Sequence, residues 1–162
     1  MQRRDRVMGV INGRKASDVN YKEQRGEERA SNTSQRDDDT IIGRTLVASL
    51  KDCANRKDIH KGIQIHADIH KKGLLQNNIF VGNSLINMYA KRGEFDDAQS
   101  VLNRLPKREI SAFNAFIRGY TQHGYYQEAL MFFEKLQQEE SVEPNHTTFV
   151  CILKACANMV AL

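Results

Sequence analysis

Apolar residues recur along this chain at helical spacing and in paired stripes. Leu85, Ile86, Met88 and Tyr89 form one stripe, and Ala98, Val101, Leu102 and Leu105 form a second. Phe116, Ile117 and Tyr120, followed by Ala129, Leu130, Phe132, Phe133 and Leu136, repeat the pair. An earlier pair is less regular, with Leu46, Val47, Leu50 and Cys53, then Ile63, Ile65, His66 and Ile69 ahead of Gly73. Punctuation supports the same reading. Gly93 follows its stripe where a left-handed C-terminal residue is wanted, with Lys91 and Arg92 in the last turn. Pro106 and Pro144 stop the second helices of their pairs. The pattern predicts an all-α chain of helical hairpins. A hairpin of about 35 residues cannot bury its own apolar face, so stacking on neighbours must stabilise it.

Self-similarity fixes the register of that stack. Residues 45–55 read TLVASLKDCAN and residues 148–158 read TFVCILKACAN, a near copy 103 positions later. Inside this spacing, two segments share an Asn at the fifth place (Asn83, Asn114), then a Tyr (Tyr89, Tyr120), a Gly (Gly93, Gly124) and an Ala (Ala98, Ala129). The expected units are therefore residues 43–78, 79–109 and 110–145, with 146–162 supplying the first helix of a further one. Their lengths of 36, 31 and 36 residues account for the long spacing.

Residues 1–42 differ. From Met1 to Asp39 polar and charged residues dominate, and the apolar ones are too scattered for a periodic face. Such a segment cannot offset its ordering entropy by burial, so a disordered tail is expected. Its arginines and serines suit an organelle transit peptide, whereas Asp5, Glu27, Glu28 and the run Asp37 to Asp39 do not. No apolar run is long enough for a signal peptide or a membrane span.

Charge and candidate chemistry narrow the function. A formal net charge of +4 points in the direction a nucleic-acid partner needs. His66 and His70 stand at i and i+4, a zinc-holding spacing, but Ala67 occupies the place where a metalloprotease needs its Glu base. A structural role is therefore expected for His66. Cys53, Cys151 and Cys156 form no Cys-x-x-Cys pair and read as packing residues. Neither a Gly-rich phosphate loop nor the His-x-Glu and Cys-x-x-Cys set of a zinc deaminase occurs. The expectation is a binding protein without catalysis, cofactor, metal, membrane partner or small-molecule substrate.

The segments NSLINMYAKRGEFDDAQSVLNRLPKRE, ISAFNAFIRGYTQHGYYQEALMFFEKL and KGIQIHADIHKKG resemble pentatricopeptide repeats. The likeness is to the plant-type array in which long, short and standard units alternate. Tetratricopeptide repeats are the near neighbour, but their Trp-containing pattern and constant 34-residue unit do not fit a chain with no Trp and units of variable length. The resemblance implies a right-handed α-solenoid of about three and a half units. It also implies binding of single-stranded organellar RNA, one base per unit, in RNA processing, with C-to-U editing the commonest theme. In the family, the fifth residue of a unit's first helix and the unit's last residue read the base, while the second residue packs on it. Carried over here, Asn114 with Asn145 would read C or U, and Asn83 with Glu109 would read U. Val47 with Asn78 would read little, because Val47 has no polar group. An Asn amide suits this task, offering a donor and an acceptor on one planar end. Phe80 is the expected stacking platform, whereas Ser111 is a poor one. Lys91, Arg118 and Lys51 are candidate phosphate contacts.

Stacking contributes on the order of 1–3 kcal/mol per base. Two competent units then leave an affinity of roughly 10⁻⁴ to 10⁻⁶ M. The terminal stripe Phe149, Ile152, Leu153 and Cys156 has no second helix to cover it. The chain is accordingly expected to be a fragment, a truncated gene model or a degenerate copy. An alternative role is a scaffold binding another repeat protein or an editing factor.

Overall fold

The computed structural model describes residues 40–162, so the expected tail lies almost wholly outside the described residues. A first helix, α1, occupies residues 40–56. It is followed by α2 (Ile59–Lys71), α3 (Leu74–Asn77), α4 (Ile79–Arg92), α5 (Phe95–Arg104), α6 (Ile110–Gln122), α7 (Tyr126–Gln137) and α8 (His146–Ala161). Among the described residues there is no strand, and no helix is long and apolar enough to cross a membrane.

Local chemistry accounts for the helix ends. Asp58, Asn78 and Asn145 cap α2, α4 and α8, each side chain accepting from a backbone N–H of the first turn. Gly93 and Gly124 take positive φ (+82° and +80°) behind α4 and α6, so the chain can reverse into the second helix of each hairpin. The one-turn helix α3 was not legible in the pattern. It opens at Gly73 (φ +65°) and buries Leu74 and Leu75. The stripe expected for α2 also needs correction, because Ile63 is exposed and Ile65 and Ile69 face the core. Leu74 and Leu75 supply the apolar surface that Ile63 does not.

Packing then builds a two-row α-solenoid. The first helices contact one another in succession, α4 on α6 and α6 on α8, while α5 and α7 pair with α4 and α6 as a second row. Aromatic rings join the rows. Phe116 of α6 stacks on Phe132 of α7 with centroids 4.3 Å apart, and Phe95 of α5 stacks on Tyr120 of α6 at 4.0 Å. Each hairpin thus supplies surface for the next, as quasi-one-dimensional repeats require.

His66 has a structural setting. Its Nδ1 lies 2.8 Å from the Tyr89 hydroxyl, and the rings meet edge to face. Burial, with the Arg104 charge adding to it, holds the imidazole below its ordinary pKa, and burial pushes the Tyr89 phenol up to about 12. Cys53 and Cys151 are buried, whereas Cys156 is exposed; burial raises the Cys53 thiol.

Candidate nucleic-acid interface

A groove of about 640 Å³ runs along the first-helix row, and no residue of α2, α5 or α7 lines it. Helix α1 contributes Val47 and Lys51, and α4 contributes Phe80, Asn83, Ser84 and Asn87. From α6 come Ile110, Ser111, Asn114, Ala115 and Arg118, with Glu109 just before that helix. Asn145 and Thr147 close the far end. Helical spacing explains the grouping. Val47 with Lys51, Asn83 with Asn87, and Asn114 with Arg118 are i, i+4 pairs, so each helix presents two polar or apolar tips one turn apart.

Most sequence-predicted residues therefore meet in one place, and two do not. Asn78 is a helix cap: its Oδ1 accepts from Val81 N–H at 3.2 Å, and its amide fills the space beside Gly43 that a side chain there would need. Lys91 reaches away from the groove, donating from Nζ to Asn55 Oδ1 at 3.0 Å. Ser84, Asn87 and Thr147 were missed. Asn87 was findable, since it lies one turn beyond Asn83 on the same face.

The two groove asparagines are held differently. Asn83 donates from Nδ2 to Ser111 Oγ at 2.7 Å, and its buried Oδ1 has no hydrogen-bond partner. Asn114, only 5% exposed, donates from Nδ2 to Asn145 Oδ1 at 3.1 Å and accepts at Oδ1 from the Thr148 hydroxyl at 2.7 Å. Asn145 is at once the α8 cap and the partner of Asn114. Glu109 precedes α6 without capping it through its side chain, and it sits 3.9 Å from Lys107. Phe80 is 70% exposed on the groove, an open aromatic face. Lys51 and Arg118 bring positive charge to the same surface. The arrangement offers what an extended polyanion with planar bases requires: a stacking ring, amides and cations in a row.

Residues 108–158 match the PPR repeat family and residues 83–110 match the PPR repeat. A pentatricopeptide repeat-containing protein of Arabidopsis thaliana, named as mitochondrial, is 38% identical over 71% of this chain and 12% of its own length. The chain belongs to the pentatricopeptide repeat family. Two further pentatricopeptide repeat-containing proteins of A. thaliana, both named as chloroplastic, are each 38% identical. They cover 70% and 73% of this chain and 18% and 19% of their own lengths. The pentatricopeptide array described here thus spans about an eighth to a fifth of these relatives.

Proposed function

We propose that this chain binds single-stranded RNA along the first-helix groove, one base per unit, and has no catalysis of its own. The observation that carries the reading is the convergence of Asn83, Glu109, Asn114 and Asn145 with Phe80, Lys51 and Arg118 on one surface. The competent units are 79–109 and 110–145; the unit 43–78 adds Lys51 but an apolar Val47. Phe80 stacks a base, the Asn114–Asn145 pair reads a pyrimidine, and the cations meet phosphates. The alternating unit lengths support a reading in the long, short and standard class, with C-to-U editing as the proposed theme. Relatives named mitochondrial and chloroplastic support an organellar setting.

Asn114→Ala is expected to weaken binding to oligouridine or oligocytidine about tenfold, the effect of one buried polar partner, while the chain stays folded. Fluorescence anisotropy with labelled oligonucleotides measures this. Equal affinity for oligoadenosine and oligouridine, unaltered by the substitution, would sink the reading.

A second reading rests on α8. Leu153 is 67% exposed and Phe149 51%, although the aligned Leu50 of α1 is fully buried. That face suits a helical-repeat protein partner with an apolar helix. Sedimentation velocity should then show association that Leu153→Glu abolishes; a monomer at every concentration counts against it.

A further inference from the structure

Helix α8 buries Thr148, Cys151, Ile152 and Ala155, so Ile152 leaves the stripe expected from the sequence and joins the core. Another stripe stays uncovered. Phe149 is 51% exposed, Leu153 67% and Val160 89%, and Cys156 is exposed between the last two. The same residue types form a seam elsewhere in the chain. Leu50 and Cys53, which align with Leu153 and Cys156, are buried in the core. Phe149 is braced, meeting Phe133 of α7 edge to face with centroids 6.1 Å apart. Single exposed apolar residues are ordinary on a protein surface, whereas a continuous stripe marks a contact face.

Spacing indicates what that face fits. The positions of Phe149, Leu153, Cys156 and Val160 are separated by four, three and four residues, the alternation of a coiled-coil seam. The order reads the same from either end. A two-fold axis crossing α8 between Lys154 and Ala155 therefore carries the stripe onto itself in an antiparallel partner. Phe149 then opposes Val160 and Leu153 opposes Cys156, a larger side chain against a smaller one in every layer. Parallel pairing would set Phe149 on Phe149 and Cys156 on Cys156, crowding one layer and leaving a gap in another. It would also set two helix dipoles side by side in the same sense.

Charge does not oppose the antiparallel contact. Helix α8 has no Asp or Glu, and its one Lys, Lys154, stands roughly 130° around the helix from the stripe. The groove residue Thr147 lies on that far side too, so pairing leaves the groove open.

We propose that α8 is a self-pairing helix, docking antiparallel on α8 of a second copy of this chain through Phe149, Leu153, Cys156 and Val160. This rests on the second reading above, in which α8 carries a protein-docking face, and commits that face to one partner and one register. Four layers make a small contact, so the pair forms reversibly with concentration rather than as an obligate dimer.

Sedimentation velocity on the full chain should show a monomer–dimer equilibrium. Leu153→Glu and Cys156→Lys, each alone, bury an unpaired charge in the seam and should weaken pairing more than about tenfold. Both positions are exposed in the monomer, and circular dichroism melts check that each variant stays folded. An equimolar mixture of the two variants should recover the dimer. The antiparallel register sets the introduced carboxylate against the introduced ammonium and leaves Leu153 on Cys156 in the neighbouring layer. A parallel pair would give no such rescue.

A wild-type dimer without rescue in the mixture overturns the antiparallel register. A dimer that both variants keep places the contact elsewhere and removes the α8 face with it. A wild-type chain that stays monomeric at every concentration overturns self-pairing. A synthetic peptide of residues 59–77, the second-helix segment of the first unit, then separates the two failures. If the monomer binds it and Leu153→Glu does not, α8 remains a docking face for a different protein. If neither binds, that reading fails too.

Discussion

Phe116→Ala should destabilise the chain by about 3–5 kcal/mol, the cost of deleting a buried ring whose space the surroundings cannot refill. Phe116 is fully buried, stacks on Phe132 at 4.3 Å with an interplanar angle of 20°, and lies within 6.2 Å of Tyr120. These contacts join α6 to α7, and Tyr120 carries the stack onward to Phe95 of α5. A small domain has only about 5–15 kcal/mol of net stability, so the loss consumes a large part of it. Urea unfolding followed by circular dichroism should show a much lower midpoint. The damage should concentrate in α6, α7 and α8, because solenoid units lean on their neighbours. Met131→Ala, on the 62% exposed face of α7, should change stability by no more than about 0.5 kcal/mol. A Phe116→Ala variant as stable as Met131→Ala would mean that the α6–α7 seam is not packed as described.

The seam was legible beforehand because a solenoid turns sequence period into spatial alignment. Once Asn83 and Asn114, Gly93 and Gly124, and Ala98 and Ala129 were in register, their helices had to stack, and the fifth residues had to fall on one face. The polar partners were not legible. Asn78 and Asn145 occupy equivalent places and both cap helices, yet only Asn145 lines the groove. The difference lies in Gly43, whose missing side chain gives the Asn78 amide somewhere else to go. Lys91 likewise found Asn55, and Asn83 found Ser111 rather than Glu109. Hydrogen bonds between residues 28 to 36 positions apart depend on tenths of an ångström in helix spacing, which no periodicity encodes. For the same reason α3 and the exposed side of Ile63 escaped a reading based on stripes.

Helix spacing is also where the second large effect should appear. Gly119 lies in α6 against α4, and a Cβ added there would meet the Ala90 carbonyl oxygen at 2.8 Å and the Ala90 Cβ at 3.0 Å. The obstructing atoms include backbone, so no side chain can swing away, and α4 and α6 must separate. Gly119→Ala should cost about 1–3 kcal/mol through overpacking. The intrinsic helix preference for Ala over Gly, about 0.5–1 kcal/mol, offsets part of this. Gly119→Val has a smaller offset of this kind and adds a branched side chain, so its loss should be larger still. Because α4 carries Asn83 and α6 carries Asn114, the same separation changes the spacing of the two proposed reading positions. RNA affinity should therefore fall for Gly119→Ala at temperatures where melts show it fully folded. Stability and binding would then change together through one contact. A Gly119→Val chain with an unaltered melting temperature would show that α4 and α6 do not approach this closely. A folded Gly119→Ala chain with wild-type affinity would show instead that the groove tolerates a change in their spacing.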